Sequence, residues 1–165
     1  MPEDKIEVVL ITGKINSGKT ASIINLVEKE RAKGNSPTGV IAHGVFENGI
    51  KIGFDVEDIA SGEKIPLARV SEVFDISFSV GRFTFSAKGF DFACKALLRF
   101  KPGGVVFIDE AGPLELKGGG YAECLHALLK SGIAKIYIVV RDDCVKEFIE
   151  KFLQGENIEI TERNK

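Results

Sequence analysis

One eight-residue stretch near the amino terminus constrains this chain more than any other feature of its sequence. It reads Gly13, Lys14, Ile15, Asn16, Ser17, Gly18, Lys19, Thr20. The apolar run 6–11, rich in β-branched residues, precedes it as a buried parallel strand would. Residues 19–33 follow with helical spacing, and Gly34 and Pro37 supply a stop. A glycine-bounded turn of this pattern between a strand and a helix predicts a phosphate-binding loop.

The chemistry of phosphate binding explains these residue types. Glycines let the backbone curl so that N–H groups point inward, and the helix N-terminus adds unsatisfied donors and the positive end of its dipole. We expect Lys19 to reach the β and γ phosphates of a nucleoside triphosphate, and Thr20 to present its hydroxyl to Mg²⁺. The predicted nucleotide-binding segment extends one residue further, to Ala21.

Two carboxylates, Asp109 and Glu110, follow a second apolar run at 105–108. Ligands of open α/β sheets bind at the carboxyl edge of the strands, where such residues emerge. We expect Asp109 to hold Mg²⁺ through its water shell. Alternation turns Glu110 to the opposite face, where it would orient and deprotonate the attacking water. An acidic surface turn would explain this segment alone, but the phosphate loop favours a metal and water site.

The remaining sequence predicts alternating strands and helices. Two apolar runs flank Asn48-Gly49, which predicts a β-hairpin, and residues 65–85 predict short strands and a turn. Further helices and strands are expected at 90–100, 105–108, 121–130, 136–140, 145–153 and 157–161. This order indicates a single domain over residues 1–165, with a parallel α/β sheet covered on both faces and an antiparallel hairpin inserted after the first helix.

Composition excludes several classes of function. Charged residues make up 28% of the chain but the net charge is only −2, so nucleic acid is not an expected partner. Cys94, Cys124 and Cys144 are far apart, which favours reduced thiols in a cytoplasmic protein over a disulfide framework or a zinc site. The apolar runs are too short for a signal sequence or a membrane span, so we expect a soluble protein without a membrane partner.

The residues after the second apolar run carry a family resemblance. Residues 109–116, Asp-Glu-Ala-Gly-Pro-Leu-Glu-Leu, resemble the segment Asp-Glu-Ile-Gly-Pro-Met-Glu-Leu of a family of small nucleoside-triphosphatases, the thermophile and cancer-related type. Residues 52–56, 80–83 and 161–165 resemble other segments of the same family, in the same order. The resemblance implies a P-loop fold of the RecA-like or Rossmann-like kind, a three-layer sandwich with a mostly parallel sheet. It also implies Mg²⁺-dependent hydrolysis of ATP, GTP and other nucleoside triphosphates.

By this resemblance Gly18, Lys19 and Thr20 bind phosphate and metal, Asp109 belongs to the metal shell, and Glu110 is the base. The chain also departs from the family pattern. Where the family shows Thr-x-Glu-x-Arg in the first hairpin strand, residues 42–46 read Ala-His-Gly-Val-Phe. The departure leaves the predicted nucleotide site intact and changes whatever that strand binds.

Phosphoryl transfer also needs a cation as charge shifts on the γ-phosphate. Arg82, in a segment that carries the resemblance, and Arg141, just past the strand at 136–140, are the candidate catalytic arginines, although either could be a plain surface residue. A P-loop kinase is a weaker alternative, because no stretch holds two arginines within ten residues as its lid would need. A non-enzymatic nucleotide switch is the other alternative. The sequence identifies no protein partner.

Several other polar residues have local interpretations. We expect His43 to be a structural polar residue near the hairpin and Glu115 to cap or pair locally. Asp142 or Asp143 is expected to cap the last helix. Asn164 could contact the nucleobase from beyond the last strand.

Overall fold

The computed structural model describes residues 6–13, 18–70 and 77–163. Within these ranges the strands are β1 (Glu7–Gly13), β2 (Thr38–Glu47), β3 (Ile50–Asp58), β4 (Lys64–Arg69), β5 (Ser77–Val80), β6 (Phe83–Ser86), β7 (Val105–Ala111), β8 (Lys135–Val140) and β9 (Asn157–Arg163). The helices are α1 (Lys19–Ala32), α2 (Ala87–Leu97), α3 (Pro113–Leu116), α4 (Ala122–Leu128) and α5 (Val145–Phe152). Some residues with predicted roles lie outside the described residues: Lys14, Ile15, Asn16 and Ser17 of the phosphate loop, and Asn164, the predicted contact to the nucleobase.

The strands form one sheet with a parallel half and an antiparallel half. Their order is β5-β6-β4-β3-β2-β7-β8-β1-β9. Neighbours from β2 to β9 run parallel, and neighbours from β5 to β2 run antiparallel. Parallel neighbours need crossover connections, and the helices along the chain supply them. The predicted α/β fold is confirmed, and the antiparallel part extends past the predicted hairpin to β4, β5 and β6.

Helices cover both faces of the parallel half, as predicted. On one face α1 packs its buried side chains against the sheet residues Val9, Ile11, Ile41, Phe107 and Val139. On the other face α2, α4 and α5 pack against Val8, Leu10, Val40, Val106 and Ile108. Strands buried on both sides explain the continuous apolar runs in the sequence. No helix in the described ranges is both long and apolar enough to cross a membrane.

The hairpin of β2 and β3 turns at Asn48-Gly49, as the sequence predicts. The two residues have φ angles of 50° and 78°, the positive values that a tight two-residue hairpin turn requires. The pairing then shifts: Phe46 lies opposite Lys51, whereas Val45 lies opposite Gly53. Because side chains alternate along a strand, this shift places Lys51 on the same face as Phe46.

Two boundaries differ from the sequence prediction. β7 continues to Ala111, so Asp109 and Glu110 lie inside the end of the strand rather than after it. The predicted cap of the last helix is wrong, because a 3₁₀ turn occupies Asp142–Cys144 and no side chain caps α5. Asp142 Oδ1 instead accepts the N–H of Asp143 at 2.9 Å, since a short carboxylate side chain readily bonds to the adjacent backbone.

Candidate functional site

The turn from β1 into α1 places Lys19 and Thr20 at the carboxyl edge of the parallel strands. Gly18 precedes the helix in the left-handed region, with a φ of 86°, a conformation that favours glycine over residues with a Cβ. The Lys19 ammonium is buried, and its Nζ donates to the carbonyl oxygen of Gly13 at 3.0 Å. The lysine side chain thus reaches back to Gly13, the first residue of the predicted phosphate loop.

Asp109 joins this turn to two strands of the sheet. Its Oδ2 accepts the Thr20 hydroxyl at 3.0 Å and the backbone N–H of Ala42, on β2, at 3.2 Å. The carboxyl group is only 1% exposed. The two predicted metal-binding residues, Thr20 and Asp109, therefore lie in contact although 89 residues separate them in the chain.

The electrostatic environment of Asp109 is unusual for an aspartate. Burial raises its pKa to about 7, and the neighbouring Glu110 carboxylate adds to the rise. The N–H of Ala42, the Thr20 hydroxyl and the Lys19 charge oppose that rise. Its Oδ1 is buried and has no hydrogen-bond partner among the described residues. Burying a carboxylate oxygen without a partner costs free energy, and a cation that prefers oxygen ligands, bound nearby, would offset that cost.

Glu110 lies in a different environment from its neighbour. Burial raises its pKa, whereas the charges of Lys19, Arg141 and Lys51 lower it, with Lys19 having the largest of these effects. Three cations thus act on the Glu110 carboxylate, whereas Lys19 alone among them acts on Asp109, which also accepts hydrogen bonds from a hydroxyl and a backbone N–H. The two adjacent acids therefore differ in their electrostatic surroundings.

Glu115 organises the loop that follows β7. Its side chain is buried, and its two carboxylate oxygens accept the N–H of Gly112 at 2.8 Å and of Tyr121 at 3.0 Å. Burial raises the pKa of Glu115, and these two hydrogen bonds oppose the rise. The prediction that Glu115 caps or pairs locally is confirmed.

The two candidate arginines lie in different places. Arg141 follows β8, close enough to Glu110 for its charge to act on that carboxylate, and its Nη2 lies 2.7 Å from Asp143 Oδ2. Arg82 is exposed at the turn between β5 and β6, with its guanidinium 4.8 Å from the ring centre of Phe83. Strands β4, β3 and β2 lie between β6 and β7 in the sheet. The structure therefore brings Arg141 toward the acidic strand end and leaves Arg82 near the sheet's antiparallel edge.

Two groups near the acidic strand end were missed by the sequence reasoning. The N–H of Ala42 is a backbone donor, which no residue pattern reveals, and Lys51 lies in the second hairpin strand. His43 pairs with Glu57, with 2.9 Å between its Nε2 and the Glu57 Oε1, in agreement with its structural interpretation. The signal for Lys51 would have been the register of the hairpin, which the sequence alone does not specify.

Comparisons with known proteins agree with this geometry. Residues 8–165 match a family model described as NTPase. The chain is 36% identical over 107 residues to the nucleoside-triphosphatase THEP1 of Pyrobaculum calidifontis, covering 65% of this chain and 58% of that protein. It is 35% identical over 129 residues to the protein of the same name from Korarchaeum cryptofilum, covering 77% of this chain and 65% of that protein. The match thus spans less than two thirds of the length of these relatives.

A solved structure supports the fold independently. The crystal structure of THEP1 from Aquifex aeolicus superposes with a TM-score of 0.75 over 95% of this chain and 90% of that one, at 18% sequence identity. Identity this low supports the fold alone. Together with the sequence matches, it confirms the resemblance that the motifs indicated.

Proposed function

We propose that this chain, which belongs to the NTPase family, hydrolyses nucleoside triphosphates such as ATP and GTP to the nucleoside diphosphate and inorganic phosphate. One observation carries the proposal: the hydrogen bond of 3.0 Å between Thr20 and Asp109. It links the start of the helix after the phosphate loop to the acidic end of β7. Glu110 stands beside this link, so a triphosphate on the loop would lie within reach of all three side chains.

Phosphate binding is the task of the turn between β1 and α1. The segment from Gly13 to Ala21 would surround the β and γ phosphates with N–H donors at the positive end of α1. Lys19 would exchange the Gly13 carbonyl for phosphate oxygens, which are stronger acceptors because they are charged. The phosphates would therefore be bound mainly by backbone N–H groups, with the Lys19 ammonium as an additional donor.

The residues around Asp109 fit a magnesium ion. Thr20 and Asp109 supply hard oxygen atoms, and the buried Asp109 Oδ1 has no partner among the described residues. These two residues would hold Mg²⁺, one directly through its hydroxyl and the other through the ion's water shell. When bound, the ion supplies charge that offsets the negative charge of the phosphates.

Glu110 would act on the attacking water. Its raised pKa shows that burial favours the protonated carboxyl, so the group is a better proton acceptor than an ordinary glutamate. In the proposed step the water oxygen bonds to the γ-phosphorus while the bond from that phosphorus to the bridging oxygen breaks. The water proton passes to Glu110, and the diphosphate leaves with the bridging oxygen and its electron pair. The products are inorganic phosphate and the nucleoside diphosphate, with the water proton on Glu110.

Phosphate release from a panel of nucleoside triphosphates, measured with Mg²⁺ and with EDTA, tests the proposal. We expect release with the metal, none with EDTA, and little preference among bases. Tight triphosphate binding without release above background would contradict hydrolysis and favour a nucleotide switch. Release that appears only when a small-molecule acceptor is added, with a phosphorylated acceptor as product, would favour a kinase.

We also place this activity in the cytoplasm. All three cysteines, Cys94, Cys124 and Cys144, are free thiols, as a reducing compartment maintains them. Thiol titration of the protein from a cell extract prepared under an alkylating agent would test this, since paired cysteines would contradict it.

A further inference from the structure

The hairpin of β2 and β3 carries a lysine toward the acidic end of β7. The register shift places Lys51 opposite Phe46, on one face of the hairpin. Val40 belongs to the core on that same face, and alternation along β2 puts Gly44 there as well. A Cβ at Gly44 would stand 3.2 Å from Cε of Lys51 and 2.9 Å from Cε2 of Phe46. The lysine chain therefore runs across Gly44 and uses the space that a larger residue would occupy.

The ammonium of Lys51 rests on aromatic rings. Its Nζ lies 4.8 Å from the ring centre of Phe54 and 5.7 Å from that of Phe46. Aromatic rings attract a cation without neutralising it, so its full charge stays available to a ligand. Two acids further along β3 form ion pairs with other cations, Asp55 with Arg69 at 2.7 Å and Glu57 with Lys64 at 3.7 Å. In residues 18–70 and 77–163, no carboxylate lies within ion-pair distance of Lys51.

The other cations near the site are engaged differently. Lys19 belongs to the phosphate loop, and Arg141 holds Asp143 at 2.7 Å. Arg82 lies further along the antiparallel half, against the ring of Phe83, which in turn packs on Phe54 with 5.4 Å between the ring centres. Lys51 is the cation of the antiparallel half whose charge acts on Glu110. The geometry of β2 gives the same placement: the N–H of Ala42 donates to Asp109 Oδ2 at 3.2 Å, and Gly44, which the lysine chain crosses, lies two residues further along that strand. A triphosphate bound beside Asp109 and Glu110 would therefore lie near the Lys51 ammonium.

We propose that Lys51 is the catalytic cation of the proposed hydrolysis, donating to the γ-phosphate and stabilising its charge as the bond to the bridging oxygen breaks. The inference rests on the proposed function and assigns a task that the sequence analysis gave to Arg82 or Arg141. Lysine suits it because its ammonium is a compact charge with three rotatable donors on a flexible chain. The two rings would keep that chain extended toward the site, and the absence of a Cβ at Gly44 lets it pass.

The test compares Lys51→Met with Lys51→Arg, and with Lys88→Met as a matched control on an exposed lysine of α2. Turnover of Mg²⁺-ATP is measured together with the affinities for Mg²⁺-ADP and for ADP with aluminium fluoride, a mimic of the transferring phosphoryl group. Lys51→Met should lower kcat by roughly a hundredfold to a thousandfold, as expected when one preorganised charge donor is removed. Its affinity for ADP should not change, whereas its affinity for the fluoride complex should fall in step with kcat. Lys51→Arg should recover part of the loss.

A second variant tests the path of the side chain without touching the lysine. Gly44→Ala places a methyl group against the Lys51 chain and the Phe46 ring, so it should lower kcat in the same direction as Lys51→Met. Circular dichroism and thermal unfolding of each variant establish that it is folded. Lys88→Met should behave as the wild type.

Three outcomes would overturn the inference. If the wild type turns over and Lys51→Met keeps its kcat, Lys51 is not the cation, and the proposed hydrolysis stands. A large loss of kcat in Arg82→Ala or Arg141→Ala, with Lys51→Met active, would return the role to an arginine. An equal loss of ADP binding in Lys51→Met would make Lys51 a ground-state binding residue. A wild type without turnover would instead contradict the proposed function, and the role of Lys51 in it.

Discussion

The two halves of the sheet reach the candidate site in different ways. The parallel half contributes side chains from the carboxyl ends of its strands, Lys19 and Thr20 after β1 and the acidic pair at the end of β7. The antiparallel half contributes one backbone group, the N–H of Ala42, and, by our proposal, one long side chain, Lys51. In the parallel half a residue's task follows from its position in a contiguous motif. In the antiparallel half it follows from the register between strands.

Substitutions in the two halves should therefore affect different properties of the protein. A motif residue of the parallel half is predicted to act directly on the ligand, so its loss should change binding or chemistry with little effect on the fold. The join between the halves, by contrast, depends on close backbone contact between β2 and β7, which pair in parallel from Thr38 to Val40. Damage there should lower stability first. Substitutions at the two kinds of position should separate these effects.

The largest effect is expected at the phosphate loop. Lys19→Ala should weaken Mg²⁺-ATP binding by roughly a hundredfold to ten-thousandfold, because two charge-assisted hydrogen bonds to phosphate are worth about 1.5–3 kcal/mol each. Calorimetric titration measures this, with thermal unfolding as the control that the domain still folds. An unchanged affinity would show that the nucleotide binds elsewhere.

Glu110→Gln should separate binding from chemistry at the end of β7. The variant keeps the size of the side chain but removes the base, so hydrolysis should fall by roughly two to four orders of magnitude. Binding of Mg²⁺-ATP should be at least as tight as in the wild type, because a negative charge near the phosphates is gone. Single-turnover hydrolysis and titration measure the two quantities.

Asp109→Asn is the matched comparison for Glu110→Gln, because it changes the adjacent carboxylate in the same way. It should weaken both the dependence on Mg²⁺ and the turnover, since Asp109 is placed against Thr20 rather than among the cations. Wild-type turnover in Glu110→Gln would show that the base is another group, with Glu115 the next candidate. Identical behaviour of the two variants would contradict the division of labour between the acids.

The join between the halves is tested at Gly39, on β2. Gly39 has a φ of 120°, and a Cβ there would collide with the carbonyl oxygen of Phe107 on β7. Gly39→Ala should therefore lower the free energy of unfolding by roughly 3–5 kcal/mol, in the range of severe backbone and packing damage. Gly62→Ala is the control: its φ is 77° but nothing surrounds it, so only about 1–2 kcal/mol of conformational cost is expected. If urea unfolding shows that Gly39→Ala and Gly62→Ala lose the same free energy of unfolding, the contact between Gly39 and Phe107 does not hold the two halves together.

The smallest effect is expected at Glu115. Glu115→Ala leaves the N–H groups of Gly112 and Tyr121 without their carboxyl acceptor, which should cost about 1–3 kcal/mol of stability. Burial raises the pKa of this carboxyl, so the folded chain binds its proton more tightly than the unfolded chain. Its stabilising contribution is then greatest below about pH 4.5 and falls as pH rises through the raised pKa. The difference in free energy of unfolding between the wild type and the variant, measured by urea unfolding, should therefore decrease as pH rises. An increase with pH would contradict a raised pKa for Glu115.

Much of the fold could be predicted from the sequence. The helix that begins at Lys19, the turn at Asn48-Gly49 and the strand before Asp109 were predicted because each depends on neighbours within a few residues. The local role of Glu115 was also predicted for this reason, since its partners lie three and six residues away. The cap by Asp142 or Asp143 failed because a 3₁₀ turn competes with a helix start over the same short stretch.

By itself, the sequence determined the motifs predicted to bind and cleave phosphate and the α/β order that brings them to one edge, because glycine, lysine and carboxylate spacing acts locally. Only the tertiary structure decided which distant groups meet that edge. The carboxylate of Asp109 accepts the N–H of Ala42, 67 residues away in the chain, and a one-residue shift in pairing places Lys51 opposite Phe46. Such a shift reverses the face of every side chain beyond it, and it is set by packing across the sheet rather than by any local pattern of residues.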